Sequence, residues 1–245
     1  MLKFLSYPLT FLFFICFGIA LLVFHPLQWI SLNVFGYQAH KKTVDWLQFF
    51  LMRCTNLLGA RYTFKNPYNI TKNQPVIIVA NHQSMYDIPP IIWYMRKYHP
   101  KFISKKELGK GIPSVSFNLK YGGSALIDRK NPKAAVETIQ NFANYIKTNN
   151  RAAVIFPEGT RSRTGKPKTF QKKGLITLFK GIPNAVVVPI TINNSWKMLR
   201  YGKFPMGLGA HLKFKVHQPI QLSDYNDYDT LIAHLEKEIT KDVVV

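Results

Sequence analysis

Residues 75–98, PVIIVANHQSMYDIPPIIWYMRKY, have the pattern of a strand, a turn and a helix in succession. The run starts with six mostly apolar residues between turn-forming residues, which is typical of a buried strand. Its last part, 88–98, is predicted to be helical, because Pro89 and Pro90 are tolerated in the first turn of a helix, where amide hydrogens lack partners. A buried strand followed directly by a helix is the repeating unit of α/β proteins.

The same alternation continues along the chain. Further strands are predicted at 101–105, 124–129, 152–157, 185–190 and 211–217, and further helices at 44–59, 131–147, 172–180 and 229–243. At 245 residues and 47% apolar composition, the chain is long enough for one sizeable core. The predicted fold class is therefore α/β, with a mainly parallel central sheet flanked by helices.

The turn of this first unit holds His82 and, five positions later, Asp87. On a continuous helix the two side chains would point about 140° apart, so the spacing suits a turn and not a helix face. A turn can fold the carboxylate onto the imidazole, which fixes the tautomer and leaves the other ring nitrogen free as a general base. The alternative is a capping aspartate beside an ordinary turn histidine. A metal site is poorly supported, because no further His or Cys stands at ligand spacing.

Polar residues follow the ends of three predicted strands: His82, Arg129 and Glu158. In open α/β sheets, sites collect where strands end and loops begin, so we expect a shared site. Lys105 also ends a strand and could converge with Arg129 on an anion. Taken alone, each of these two cations could equally be a solvated surface charge.

The loop FPEGTRSRTGKPK, residues 156–168, is a second candidate motif. Gly159 allows the backbone to approach a ligand closely or to adopt positive φ. Thr160 offers a hydroxyl, and Arg161 offers a planar fork suited to phosphate. The alternative is a basic surface loop, but the position directly after an apolar strand favours an anion site.

The sequence holds few candidates for a side-chain nucleophile. Cys16 and Cys54 form no Cys-x-x-Cys motif and no disulfide framework, and both are predicted to be small core residues. Ser84 lies between His82 and Asp87, but no Gly-x-Ser-x-Gly elbow occurs. Direct attack by a substrate hydroxyl is therefore expected in place of a covalent enzyme intermediate.

Charge is strongly unbalanced. The 33 Lys and Arg exceed the 12 Asp and Glu, which gives a net charge of +21. Such a balance implies anionic partners: nucleic acid, anionic lipid, phosphorylated substrates or an acidic carrier protein. Composition alone does not choose among them.

Residues 1–40 are predicted to be a membrane-anchoring helical segment. Lys3 is the only charged side chain before Lys41, and residues 4–24 give 21 uncharged positions, about enough to span a bilayer core. Pro26 is expected to break the segment, and more apolar sequence follows it. Two geometries remain open, a single spanning helix and a helical hairpin in one leaflet. We favour the hairpin because it keeps a site at the interface; a cleaved signal peptide is the alternative.

Several short motifs occur in a fixed order along the chain. They are Asn81-His82-x-Ser84-x-x-Asp87, Lys105-x-Glu107-Leu108, Gly122 through Ile127-Asp128-Arg129, Phe156-Pro157-Glu158-Gly159-Thr160-Arg161-Ser162, and Val188-Pro189-Ile190. Together they resemble the four-block pattern of the 1-acyl-sn-glycerol-3-phosphate acyltransferase family. The resemblance covers about residues 60–215.

This resemblance implies a role for each candidate residue. His82 would be the general base and Asp87 its partner. The glycerophosphate would be bound by Glu158, Gly159, Thr160 and Arg161, with Arg129 and Lys105 as further phosphate ligands. Neither a metal nor a prosthetic group is implied.

The implied reaction is transfer of an acyl chain from a thioester of acyl carrier protein or coenzyme A to the sn-2 hydroxyl of 1-acyl-sn-glycerol 3-phosphate, which forms phosphatidic acid. The implied partners are a lysophospholipid, an anionic membrane surface and the thioester donor, and no nucleic acid. Residues 41–245 would form the catalytic domain, facing the cytoplasm at the inner membrane. Backbone amides near the 81–87 turn are expected to stabilise the oxyanion.

Two alternatives remain open. The acceptor could be another lysolipid or glycerol 3-phosphate itself. The chain could also be a basic, membrane-anchored binding protein without catalysis.

Overall fold

The computed structural model describes residues 2–245, which form an eight-stranded sheet with helices on both faces. The strands are β1 (Arg61–Lys65), β2 (Val76–Ala80), β3 (Pro100–Lys105), β4 (Ala125–Ile127), β5 (Ala152–Ile155), β6 (Val186–Asn193), β7 (His211–Val216) and β8 (Ile220–Gln221). The helices are α1 (Leu2–Asn56), α2 (Ile88–Tyr94), α3 (Val115–Tyr121), α4 (Pro132–Thr148), α5 (Lys172–Gly181) and α6 (Tyr228–Thr240).

The strand order is β1-β7-β6-β2-β5-β3-β4, with β8 paired to β6. Pairing is parallel everywhere except where β7 and β8 run antiparallel to β6. The predicted α/β fold with a mainly parallel central sheet is confirmed.

Strand β2 occupies the middle of the sheet because every one of its side chains is apolar and buried. Parallel strands covered by helices on both faces have continuous apolar runs of this kind. The parallel neighbours β5 and β3 end at the same edge as β2. The loops that follow these three strands therefore meet at one edge, as the sequence predicted.

Two apolar cores lie on opposite faces of the sheet. One contains side chains of α1 and α2, and the other contains side chains of α4, α5 and α6. Helix α4 begins as predicted: the Asn131 side chain accepts a hydrogen bond from the amide of Ala134 at 3.1 Å, and Pro132 takes the first position. The cap and the proline fix the point at which α4 begins after β4.

Helix α1 is a hairpin of two arms, residues 2–35 and 37–56, hereafter the first arm and the second arm. They are joined at Gly36, where φ is 76° and ψ is −171°. The arms run antiparallel: the Ser31 and Thr43 hydroxyls are 2.7 Å apart, and the rings of Phe24 and Phe50 are 5.6 Å apart. The structure therefore contains a helical hairpin, and the predicted placement of a hairpin in one membrane leaflet stays a prediction.

The predicted break at Pro26 is wrong. Pro26 lies inside the first arm, where it removes one backbone donor while the helix continues on both sides. The reversal needs positive φ, which glycine adopts without steric cost, so it occurs at Gly36. The boundary proposed after residue 40 falls inside the second arm, which continues to Asn56 and packs on α2.

Three elements were not predicted: β1, α3 and β8. Strand β1 is a sheet-edge strand with exposed, charged ends, Arg61 and Lys65, so its apolar signal is weak. Helix α3 spans seven residues and β8 two, too few to show a periodicity. Both cysteines, Cys16 and Cys54, are unpaired.

Among residues 2–245, α1 alone is long and apolar enough to cross a membrane by length and composition. Only 17% of its most apolar 18-residue window is buried. Large apolar side chains are exposed along the first arm, from Leu2 to Phe35. A core helix would bury this face, so its exposure is compatible with membrane association.

Candidate active site

His82 and Asp87 meet across the turn that leaves β2. His82 Nδ1 lies 2.8 Å from Asp87 Oδ2, and the same carboxylate oxygen accepts the amides of Gln83 at 2.8 Å and Ser84 at 3.0 Å. Asp87 is fully buried, so its charge is balanced only by these donors and its neighbours. Asp87 therefore both caps the turn and holds the histidine in place, and the role of His82 as a general base stays a prediction.

Ser84 has a structural position. Its hydroxyl oxygen accepts the amide of Tyr86 at 3.1 Å, and the residue is fully buried. A buried hydroxyl used in this way is not available as a nucleophile. The geometry agrees with direct attack by a substrate hydroxyl.

The imidazole of His82 is fixed on its other sides as well. Its ring stacks on Phe156 with centroids 4.0 Å apart and planes 12° apart. Its amide donates to Glu158 Oε1 at 3.0 Å, and its carbonyl accepts the amide of Ser162 at 2.7 Å. Nε2 makes no hydrogen bond to any residue from 2 to 245, and His82 lines a large cleft. The ring therefore offers one free nitrogen to a ligand in that cleft.

A residue that the sequence did not reveal completes this group. The Ser195 hydroxyl donates to Asp87 Oδ1, the carboxylate oxygen that His82 does not use. The Ser195 amide donates to Gln83 Oε1 at 3.1 Å, and Ser195 is fully buried. The only sequence signal for it is the Asn-Asn-Ser run, residues 193–195, at the end of β6, the strand that lies beside β2.

Asn81 locks the same two strands together. Its amide group donates to the carbonyl of Ile192 at 2.9 Å and accepts the amide of Ile192 at 2.7 Å. The Asn81 side chain thus takes the place of a backbone pair just after the last paired residues of β2 and β6. This places the 81–87 turn and Ser195 in a fixed relation.

The 156–168 loop also contacts His82, through Glu158 and Ser162. Gly159 has a φ of 69°, as expected for a glycine at a tight turn. Its carbonyl accepts a hydrogen bond from Arg129 Nη1. Lys168 Nζ donates to Thr160 Oγ1 at 2.8 Å and to the carbonyl of Arg161 at 3.1 Å. Arg129 and Lys168 therefore hold the loop in shape.

Glu158 faces inward. Its side chain is 5% exposed and does not line the cleft, unlike Gly159, Thr160 and Arg161. Oε1 accepts the His82 amide, whereas Oε2 is buried and has no hydrogen-bond partner within residues 2–245. Burial raises the pKa of Glu158 to about 7. Its predicted contact with substrate stays a prediction, and its observed contact is with the catalytic turn.

The cleft beside His82 has a volume of about 1280 Å³, larger than the usual range of small-molecule sites. Its polar lining residues include His82, Lys105, Arg129, Thr160 and Arg161. Its apolar lining residues include Ile88, Phe102, Ile103, Leu108, Ile127, Val136, Ile139 and Ile155. All the predicted site residues except Asp87 and Glu158, which lie behind the surface, line this one cleft.

No group of three or more His, Cys, Asp and Glu side chains within 2–245 is arranged to hold a metal ion. A second cavity, beside Lys101 at the other end of β3, measures about 20 Å³ and holds a water-sized group at most. The absence of a metal requirement stays a prediction.

Fold and site together define an acyltransferase: residues 61–193 match the family model described as Acyltransferase, and the chain belongs to that family. Its relatives include 1-acyl-sn-glycerol-3-phosphate acyltransferases. One from Cocos nucifera is 33% identical over 63% of this chain and 49% of its own length. One from Saccharomyces cerevisiae is 30% identical over 62% and 50%. One from Salmonella typhimurium is 26% identical over 77% and 80%.

The chain spans about half the length of the plant and yeast relatives that it matches. A solved structure shares its fold: the crystal structure of the 1-acyl-sn-glycerophosphate (LPA) acyltransferase, PlsC, from Thermotoga maritima. The TM-score is 0.79 at 24% identity, over 98% of this chain and 95% of that one.

Proposed function

We propose that this chain transfers an acyl group from a thioester to the sn-2 hydroxyl of 1-acyl-sn-glycerol 3-phosphate and so forms phosphatidic acid. The observation that carries the proposal is the pairing of His82 with buried Asp87 beside a cleft that is lined by both cationic and apolar side chains. A lysophosphatidic acid has the same two halves, a phosphate and an acyl chain. The names of the relatives agree with this choice.

In the proposed reaction, His82 Nε2 removes the proton of the acceptor hydroxyl as the oxygen attacks the thioester carbonyl carbon. The resulting tetrahedral species collapses, the carbon–sulfur bond breaks, and the thiolate leaves and takes up the proton from the imidazolium. Asp87 holds Nδ1–H and stabilises the imidazolium. General-base help of this kind is typically worth about 10²–10⁴-fold.

The expectation that amides of the 81–87 turn stabilise the oxyanion loses support. The amide of His82 donates to Glu158, and those of Gln83 and Ser84 donate to Asp87. Donors that are already used cannot also meet a developing charge at full strength.

The phosphate of the acceptor is proposed to bind at Arg161, with Lys105 and Arg129, which line the same cleft, as further ligands. Arginine forms paired hydrogen bonds with phosphate. The amide of Gly159 already donates to the carbonyl of Phe156 at 3.0 Å, so Gly159 would contribute its close backbone approach and Thr160 would add the neutral donors. Glu158 would not contact the phosphate; it would hold His82 in position through the hydrogen bond from the His82 amide.

The membrane arrangement proposed is the hairpin in one leaflet, with the domain on the cytoplasmic side of the inner membrane. The first arm contacts the domain near both of its ends: Thr10 Oγ1 accepts the Met206 amide at 2.9 Å, and His25 Nδ1 accepts the Ser114 amide at 3.0 Å. A helix that crossed the bilayer would leave the domain along its length. The acyl donor, acyl carrier protein or coenzyme A, would arrive from the aqueous side.

The test is an assay of the purified chain in mixed micelles with 1-acyl-sn-glycerol 3-phosphate and each of the two donors. We expect phosphatidic acid from the wild type, none above background from His82→Ala, and no effect of EDTA. A panel containing glycerol 3-phosphate and neutral lysolipids determines the acceptor. Preference for another acceptor would overturn the substrate assignment, and absence of transfer to every acceptor would overturn the enzyme assignment.

A further inference from the structure

The segment 199–207 joins the cleft to the exposed face of the first arm; we call it the lip. On one side of the lip, Leu199, Gly202 and Lys203 line the cleft that contains His82. On the other side, Phe204 is 53% exposed and its ring lies 5.5 Å from that of Tyr7, itself 42% exposed. The lip therefore borders both the site and the helix.

The apolar surface continues from Phe204 onto the helix. Tyr7, Phe11 and Phe14 stand at i, i+4 and i+7 of the first arm, so they share one face, and all three are exposed. Single exposed apolar residues need no explanation, but a contiguous strip does. This strip ends at the lip.

The position of the lip is fixed by a buried contact beneath it. The Met206 amide donates to Thr10 Oγ1 at 2.9 Å, and both residues are fully buried. The contact holds Phe204 outward at the level of the first arm. Its exposure is therefore a feature of the packed fold and not of a free loop.

The charged residues of the lip and of the sequence on either side of it are all cationic. The chain contains no Asp or Glu from Gly159 to Ser223, and the lip adds Arg200 and Lys203. Lys3 of the first arm lies 6.0 Å from the ring of Tyr201. Cations around an exposed apolar strip match a surface that is anionic outside and apolar within, which is the chemistry of an anionic lipid leaflet.

We propose that the lip inserts into the same leaflet as the first arm and forms the passage through which lysolipid reaches His82, with Phe204 as the side chain that enters the lipid. This inference rests on the proposed function for its substrate. Lipid would pass from the leaflet beside Phe204 and Lys203 directly into the cleft. No passage through water would be needed.

The experiment compares two acceptors of the same chemistry. One is long-chain lysophosphatidic acid in vesicles containing phosphatidylglycerol, and the other is a short-chain lysophosphatidic acid that is monomeric in water. For Phe204→Ser we expect about a ten-fold rise in apparent KM for the vesicle acceptor and less than a two-fold change in kcat/KM for the soluble one. Phe204→Leu should restore vesicle activity. Tyr68→Ser, which removes another exposed aromatic side chain, is the matched control.

Equal losses on both acceptors would overturn the proposal, since they would indicate damage to the cleft. Unchanged activity on vesicles would overturn it too. A separate measurement needs no turnover: Phe204→Trp should show tryptophan quenching by bromine-labelled lipid chains beyond that of the wild type, and equal quenching would refute insertion. If the wild type acylated neither acceptor, the proposed function would fail. The quenching result alone would then decide whether the lip inserts into the membrane.

Discussion

Ser195 donates a hydrogen bond to Asp87 Oδ1, 108 positions away in the chain, while His82 occupies the other oxygen of the same carboxylate. The aspartate is thus held from both sides. Ser195→Ala removes the one side-chain donor to Oδ1 found in the part of the chain that the structure describes. Hydrogen bonds to charged groups are worth about 1.5–3 kcal/mol, so we expect kcat to fall roughly ten-fold or more at an unchanged acceptor KM.

The pH profile separates positioning from general damage in this variant. A carboxylate with fewer donors holds the imidazole proton more tightly, so the acid limb of kcat against pH should move to higher pH in Ser195→Ala. Ser195→Thr keeps the hydroxyl and should recover most of the activity. A loss of activity with an unmoved acid limb would show that Ser195 is only a packing residue.

His82→Ala should lower kcat by about 10²–10⁴-fold, because no other group beside the cleft replaces its free nitrogen. Asp87→Asn should keep the size of the side chain but misplace the imidazole proton, with a comparable loss. Rates with saturating acceptor and donor measure both effects, and thermal unfolding checks that the variants fold. Near-normal turnover by His82→Ala would refute its role as a general base.

Arg161→Ala should raise the acceptor KM with little effect on the donor. Loss of a charge-assisted contact costs about 1.5–3 kcal/mol, or roughly 10- to 150-fold in affinity. Arg129→Ala is expected to affect both KM and kcat, since Arg129 also holds Gly159 and hence the loop behind His82. Lys65→Ala, on the edge strand, is the control for charge alone. A change confined to the donor KM would reassign the loop to the thioester.

Glu158→Gln tests the inward orientation of this side chain. Burial raises the pKa of Glu158 to about 7 from 4.5, so its neutral form stabilises the folded state fully below pH 4.5, and this contribution is lost as the pH rises to about 7. The loss is at most about 3 kcal/mol. Glutamine keeps an oxygen for the His82 amide. The stability of the variant relative to the wild type should therefore increase across this pH range, as measured by urea unfolding at several pH values.

The hairpin can be tested by labelling single cysteines at Lys3 and Lys42 in a chain with Cys16 and Cys54 replaced. Both positions are exposed. Ser6, another position in the first arm, is buried and would label poorly. In a one-leaflet hairpin, both cysteines should react with an impermeant reagent from the same side of a sealed membrane. Reaction from opposite sides would establish a spanning helix.

Sequence patterns predicted the central part of the fold because strands such as β2 and β6 are continuous apolar runs, whose burial is nearly independent of context. They missed β1, where an edge position permits charged residues. They placed the reversal of α1 at Pro26, since proline is a visible helix breaker. The left-handed backbone of Gly36 follows from the packing of the two arms and is not visible in composition.

In the site, as in the fold, sequence patterns indicated the local contacts and missed those that depend on strand order. His82 and Asp87 are close in sequence, so turn geometry alone brings them together. Ser195 reaches Asp87 only because β6 lies beside β2, a relation that depends on strand order. Glu158 was expected at the substrate, but the direction of its side chain is set by the amide of His82 in the neighbouring turn.

The contact between Met206 and Thr10 also bears on how the chain matures during synthesis. The two residues are 196 positions apart, so a ribosome must make most of the protein before the first arm can meet the lip. Because domains generally fold as units, the first arm cannot complete its packing on the domain until the later strands and the lip have been made. A bilayer near the ribosome offers the waiting helix an apolar surface long before the rest of the chain can. Insertion would then come first, and the sheet would assemble onto a helix that is already anchored.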